Sequence, residues 1–437
     1  MITKTRRRLP VLLFICVRFA LAQPSIPETP AGHALRAWMD AFNSGDRANI
    51  ETYIKNFDPS QSVEMMTSFR NQTGGFDLLS IESSEPRHIR FRVKERSGPT
   101  TAIGNLSMKA DQPTIVETIG LRALPPGVEP VNVVLDALLR RQVIDGVDKN
   151  LQEFYIDSAT AKRMQDAVQV HQKAGDYDSI TDGDAFAAQL SKDLRAVSND
   201  KHLSVAFNAF KMPERKGPSP EEVARMRQQL MRSNCMFSKV EVLPGNVGYV
   251  KFDAFMDPGV CAPTVVSAMS FVAHTDAVIF DLRENGGGDP AMVTFIASYL
   301  FDKPTHLNDL YNRKEDSTQQ FWTLSYVPGE RLAKQPVFVL TSKRTFSGAE
   351  EFSYNLKTQK RATIVGETTG GGAHPVGGHS VADYFTVMVP FAKAVNPISK
   401  TNWEGTGVEP DVKTAAADAL STAQKLATEK IRAEGKK

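Results

Sequence analysis

Between residues 246 and 411 the chain alternates short apolar runs with helical patterns, and nothing else in the sequence restricts its fold as strongly. NVGYVKFDAF (246–255), DAVIFDLR (276–283), QPVFVLTSK (335–343), ATIVGE (362–367) and ADYFTVMVP (382–390) read as strands. APTVVSAMSFVAHT, DPAMVTFIASYLF and SGAEEFSYNLKTQ read as helices between them. Runs that are apolar throughout belong to a sheet covered by helices on both faces. An α/β core is therefore expected over residues 201–420, followed by a helical tail over 421–437.

The segments before this core differ in pattern. In residues 33–57, Leu35, Trp38, Met39, Phe42 and Ile50 are spaced for one apolar helical face. Four runs then alternate with a period of two: FDLLSIESSE (76–85), RHIRFRVKER (87–96), TAIGNLSMKA (101–110) and TIVETIGLRA (114–123). They read as an antiparallel sheet. A helix and curled sheet of this size, over residues 31–124, resemble the nuclear-transport-factor-like fold. That fold hosts pockets and enzymes alike, so it says little about function. LPPGVEP (124–130) reads as a linker. VNVVLDALLRRQVID (131–145), DSATAKRMQDAVQVHQKA (157–174) and DGDAFAAQLSKDLRAVS (182–198) suggest a small helical domain over 130–200, with Asp157 and Asp182 as N-caps. After the short strand HLSVAFNAF (202–210), the charged stretch KMPERKGPSPEEVARMRQQLMRS is an excursion. It is far too short for an inserted binding domain of ~90 residues.

Length and charge exclude little. At 437 residues the chain has room for two or three domains, and 52 Lys+Arg against 50 Asp+Glu give no footprint for nucleic acid. The N-terminus says more. Lys4 and Arg6 to Arg8 form a positive n-region, Leu9 to Val17 an apolar h-region, and Ala20-Leu21-Ala22 a cleavage pattern. Residues 1–22 are expected to be an export signal with Gln23 as the first mature residue and a periplasmic or secreted product. Arg18 leaves an uncleaved anchor open as the alternative. No later run approaches the ~20 apolar residues of a membrane span. Signal removal leaves two cysteines, Cys235 and Cys261, which permit one disulfide or remain two thiols.

Three glycine-centred turns follow strands of the expected core. DLRENGGG (281–288) provides glycines that let N–H groups turn outward, as an oxyanion hole requires. RTFSGAEE places Ser347 on a turn before a helix. A serine there is ordinarily an N-cap, but the same position suits a nucleophile beside the positive end of a helix dipole. GETTGGGAHPVGG (366–378) is a further glycine-lined rim, and WEGTGVEPD (403–411) sets Glu404 in a late loop. His374 and His379 stand five apart on the rim, as substitute bases or metal ligands without a third ligand pattern. His33, His88, His171, His274 and His306 have no constellation around them.

Taken in order, Asp281-Leu282-Arg283-x-Asn285-x-Gly287-Gly288, Thr345-Phe346-Ser347-Gly348-Ala349-Glu350 and Gly405-x-Gly407-Val408-x-Pro410-Asp411 resemble the C-terminal processing (tail-specific) serine peptidase family. The resemblance covers about residues 130–435 and implies a crotonase-like ββα core. PDZ-bearing members carry a lysine base in a T-x-G-K-G motif. The matching run here is Thr368-Thr369-Gly370-Gly371-Gly372, with Gly371 at the lysine position, and no PDZ segment is present. The chain is more similar to the PDZ-less branch, the tricorn-core proteases and the repeats of interphotoreceptor retinoid-binding protein. That branch has a D-x-H-L-x-V motif, matched by Asp200-Lys201-His202-Leu203-Ser204-Val205. The resemblance implies Ser347 as nucleophile, His202 as base and Glu404 as its partner, with oxyanion donors from Gly348 and from Gly287 or Gly286. Lys201 stands where this branch has a helper serine.

A peptide or protein substrate and no cofactor or metal are further expectations; oligomeric state stays open, a homo-oligomer being one alternative, since relatives with this core often assemble. Two competing readings remain at the level of sequence. One is a non-catalytic module holding an apolar ligand on the same core, as the retinoid-binding relatives do. The other gives the main role to residues 31–124 as a docking domain.

Overall fold

A computed structural model describes residues 24–433 apart from 126, 132, 212–216 and 218, together with 435. The expected signal, residues 1–22, and Gln23 lie outside the described residues. The chain divides into two compact units between residues 127 and 128.

The first unit contains α1 (Pro30–Ser44), α2 (Arg47–Phe57), α3 (Val63–Thr73) and strands β1 (Phe76–Ser84), β2 (His88–Glu95), β3 (Thr101–Met108) and β4 (Val116–Ala123). The four strands pair in sequence order, all antiparallel, as their period of two predicts. The helical stretch expected over 33–57 is two helices. Gly45 ends α1 with φ 67°, and the Asp46 side chain then caps α2 by accepting the Ala48 N–H at 2.7 Å. Leu35, Trp38, Met39 and Phe42 pack with Ile89, Phe91, Val93 and Leu106 in one buried cluster.

The second unit opens with α4 (Ala137–Phe154), α5 (Ser158–Ala174), α6 (Gly183–Ser198), β5 (Ser204–Phe207) and α7 (Pro220–Arg232). It continues with β6 (Phe237–Leu243), β7 (Val247–Phe252), α8 (Pro258–Phe271), β8 (Ala277–Asp281), α9 (Pro290–Ser298), β9 (His306–Asn312), β10 (Ser317–Trp322) and β11 (Val337–Thr341). The last elements are α10 (Gly348–Thr358), β12 (Ala362–Gly366), β13 (Val376–Val381), β14 (Phe385–Pro390), β15 (Ala392–Val395), β16 (Val412–Lys413) and α11 (Ala419–Ala433).

Its main sheet has the order β16-β12-β11-β8-β7-β6. All pairs are parallel except the β6–β7 hairpin. Both faces are buried, as apolar strands require. One face carries Val265, Met269, Val293, Ile296, Phe352 and Leu356 from α8, α9 and α10. The other carries Ala419, Ala423, Ala427 and Ile431 of α11, so the expected C-terminal tail is a structural layer of the core.

Two further expectations change. The run at 382–390 is not in the main sheet: β14 lies between β13 and β5 in a separate three-stranded antiparallel sheet. Helices α4, α5 and α6 have no core of their own. Val143, Val147, Met164, Phe186 and Leu190 share one cluster with Val205, Val381, Phe385 and Val387 of that small sheet. Cys235 and Cys261 form a disulfide that ties the start of the β6–β7 hairpin to α8, with Cα atoms 5.6 Å apart. No helix among the described residues is long and apolar enough to cross a membrane.

Candidate active site

Strands β8, β11 and β12 are parallel neighbours at the centre of the main sheet. The loops that leave their carboxyl ends, 282–289, 342–347 and 367–375, therefore emerge side by side. This edge of a parallel sheet is where α/β proteins place ligands.

Ser347 sits at the tip of the middle loop with φ 53° and ψ −120°, a conformation that L-residues rarely adopt. Ser347 and Glu350 stand in a capping-box arrangement, but the Ser347 backbone is not the extended one of an ordinary N-cap. A plain N-cap does not account for that conformation. What fixes the turn is Glu350, buried one turn into the helix. Its carboxylate accepts the Ser347 N–H at 2.8 Å and the Gly371 and Gly372 N–H groups at 2.6 and 2.9 Å, besides the Thr369 hydroxyl. Burial lifts the Glu350 carboxyl above its usual range despite these donors. Glu350, which reads in sequence as a helix former, is the buried anchor of two loops.

Asn285 joins the first loop to the second. Its carbonyl accepts the Phe346 N–H at 3.1 Å, its Nδ2 donates to Phe252 O at 2.9 Å, and its Oδ1 accepts the Gly287 N–H at 2.8 Å. The Gly286 N–H donates to Asp253 O at 3.1 Å. Gly286 and Gly287, two of the three glycines expected to serve the oxyanion, therefore have their N–H groups engaged. Gly348 and Gly288, on facing loops, have N–H groups without a hydrogen-bond partner among the described residues. Asp281 and Arg283 of the same motif are structural. Burial pushes the Asp281 carboxyl up, but the Arg283 guanidinium, bonded to both oxygens at 2.9 and 2.6 Å, brings it below its usual value.

His202 lies in the turn between α6 and β5, its ring centroid 4.7 Å from that of Phe346, the residue before Ser347. A Cβ on Gly372 would lie 2.5 Å from His202 Cε1 and 2.3 Å from Phe346 Cζ, so this rim position has to be glycine. Gly371, at the lysine position of the related motif, has φ 83° and would place a Cβ 3.1 Å from the Gly405 and Gly407 backbone. A long side chain there meets strain as well as backbone. Lys201 is turned to the rim, where its Nζ donates to Gly370 O.

Behind His202 is a cluster of carboxylates. Asp200, 1% exposed, accepts the His202 N–H at 3.0 Å through Oδ1 and holds His374 Nδ1 at 2.6 Å through Oδ2. Glu404 Oε2 accepts the Ala373 N–H at 2.5 Å and lies 3.5 Å from His374 Nδ1. His202 Nδ1 and Glu404 Oε1 are both buried without a partner among the described residues. Ligand atoms of Asp200, His202 and Glu404 fall within 4.8 Å of one another, a spacing open to a bridging water or a cation. Burial holds the His202 imidazole below its usual value, and burial lifts the Glu404 carboxyl to about 7. His379 lies apart, stacked on Phe154 at 4.1 Å.

The expected Ser347, His202, Glu404 and Gly348 thus lie on loops that touch one another through Phe346, Gly372 and Glu350. Sequence reasoning missed the parts played by Asp200, Glu350 and Gly288 and undervalued His374. Asp200 stands two residues before the histidine in the quoted motif, and that was the signal available for it.

Comparison with known proteins finds the following likenesses. Residues 246–414 match peptidase family S41, and residues 138–244 match the N-terminal domain of peptidase S41 in eukaryotic IRBP. A carboxyl-terminal-processing protease of Synechocystis sp. is 29% identical over 162 residues, 35% of this chain and 34% of that protein. The chloroplastic carboxyl-terminal-processing peptidase 2 of Arabidopsis thaliana is 25% identical over 218 residues, 47% of this chain and 40% of that protein. The matched region thus spans well under half the length of these relatives. A putative peptidase from Parabacteroides merdae superimposes with a TM-score of 0.48 and 18% identity, over 66% of this chain and 96% of that one.

Proposed function

From its membership of peptidase family S41, to which this chain belongs, we propose that it is an exported serine endopeptidase. Ser347 Oγ attacks the peptide carbonyl while His202 Nε2 takes its proton and later delivers it to the leaving amine. Water then hydrolyses the acyl-enzyme by the reverse use of the same base. The N–H groups of Gly348 and Gly288 receive the oxyanion, each such donor being worth ~3 kcal/mol of barrier. Glu404 stabilises the imidazolium across a water at His202 Nδ1, in place of the helper serine that Lys201 replaces. The main sheet is taken as a crotonase-like core and the first unit as a nuclear-transport-factor-like domain.

The observation that carries this reading is Ser347 itself. A serine held at φ 53° costs about 1–3 kcal/mol, which a mere helix cap would not justify, since caps ordinarily have extended backbone. The absence of a lysine site at Gly371 argues for the histidine base. Hydrolysis of casein by the mature protein is the test. Ser347→Ala and His202→Ala should each abolish it, whereas Lys343→Met and Lys357→Met should retain most of it. Loss in a lysine variant with retention in His202→Ala would replace the base. Export is supported by the n-, h- and c-regions before Gln23 and by the disulfide, which suits an oxidising compartment. Sequencing the isolated protein should give Gln23; an intact Met1 from the cytosol would refute export.

A further inference from the structure

We propose that His374 is a positioning residue for this reaction: docked on buried Asp200, it holds Glu404 aimed at the Nδ1 side of His202. The inference rests on the serine-peptidase reading above and concerns a residue for which the resemblance implied no role.

Three observations carry it. His374 is 9% exposed and its Nδ1 lies between two carboxylates, 2.6 Å from Asp200 Oδ2 and 3.5 Å from Glu404 Oε2. Two carboxylates this close raise each other's proton affinity unless a proton donor or positive charge stands between them. Of the groups at this spot, His374 is the one placed to do so, since Lys201 is turned to Gly370 O and Arg195 donates to Leu203 O at 2.6 Å. Finally, Glu404 has one oxygen committed to the Ala373 N–H, next to His374 in sequence, and the other unpartnered, as is His202 Nδ1. Residues 373 and 374 both face Oε2, which leaves Oε1 for the base.

The groups facing Glu404 pull in opposite directions. Burial, Asp200 and Glu350 favour its neutral form, while His374 and the Ala373 N–H favour the carboxylate. Tyr155 is also close, buried and held un-ionised by burial and by the charges of Asp200 and Glu404. His202 completes the set, and its own proton affinity is depressed by burial. A neutral Glu404 cannot stabilise an imidazolium at His202, and His374 favours the carboxylate, so loss of His374 should appear as a change in the acid limb of reactivity rather than a uniform loss.

The test is the pH dependence of the second-order rate of fluorophosphonate labelling at Ser347 in the mature full-length protein. It is measured for the unaltered protein, His374→Asn, Glu404→Gln and the double variant, each checked by thermal melting. Asparagine keeps an N–H near Nδ1 for Asp200 but carries no charge. His374→Asn should move the acid limb upward by roughly one pH unit, with a plateau rate within a few-fold of the original. Glu404→Gln should leave only the acid limb set by His202 itself, and adding His374→Asn to it should cost less than about two-fold more. If His374→Asn fails to fold, His374→Gln replaces it in the same cycle. An unmoved limb, or losses that multiply in the double variant, would overturn the role of His374 while leaving the peptidase reading intact. Failure of the unaltered protein to label at all would overturn both.

Discussion

Replacing Glu350 should damage the site more than its helical position suggests. Its carboxylate serves the Ser347, Gly371 and Gly372 N–H groups and the Thr369 hydroxyl, and it is itself 0% exposed. Glu350→Ala leaves three backbone donors and a hydroxyl without an acceptor. At ~1–3 kcal/mol per buried orphan, discounted for relaxation towards water, the loss comes to about 3–6 kcal/mol. Glu350→Gln keeps one acceptor oxygen. If that oxygen serves Ser347 and Gly372, the new NH2 opposes the Gly371 N–H, so one donor pair clashes and the loss is about 1–3 kcal/mol. Urea unfolding followed through tryptophan emission is a suitable assay, since Trp403 Nε1 donates to Gly372 O at 2.8 Å and reports on this loop. Hydrogen exchange over residues 369–372 localises the change. A Glu350→Ala midpoint equal to the original, with protection of Gly371 and Gly372 unchanged, would refute the anchoring role.

Other residues give sharper contrasts. Ser347→Gly should stabilise the fold by about 1 kcal/mol, because glycine tolerates φ 53°, while abolishing hydrolysis; equal or lower stability in melts would mean the turn is unstrained. Glu351 is buried beside Asn308 and Asn355, and burial lifts its carboxyl to about 8. An acid whose folded value exceeds its unfolded one loses stability as pH rises from about 4.5 to 8, because the unfolded state ionises first. Glu351→Gln should therefore gain stability relative to the original protein across that window, by up to ~1.4 kcal/mol per pH unit; a pH-independent difference would contradict it. Replacing both Cys235 and Cys261 by serine, 26 residues apart, should lower stability by about 3 kcal/mol on loop-closure grounds, read from urea midpoints.

The parts of the fold legible in sequence are those set by local pattern. Period-two alternation gave β1 to β4, and continuous apolar runs gave β7, β8, β11 and β12 with helices α8, α9 and α10 between them. Partner choice was not legible. β14 reads like the central strands, yet it pairs with β13 and β5 and buries alternate residues, Phe385, Val387 and Val389, under α4 to α6; its half-buried face carries Thr386 and Met388, apolar enough to hide the alternation. The site shows the same division. Ser347, His202 and Glu404 stood in ordered motifs, and the glycines at 370–372 announced a close approach of chains. Which N–H groups remain free was invisible, since the engagement of Gly287 depends on Asn285 folding back onto it. The same holds for His374, whose partners are 174 residues away at Asp200 and on the late loop at Glu404.

The nucleophile is tested most directly by treating the purified mature protein with a fluorophosphonate and identifying the modified peptide by mass. Modification at Ser347, lost in His202→Ala but kept in Lys343→Met, is the expected result. Modification at another residue, or none in a protein whose melt shows it folded, would contradict the assignment of Ser347.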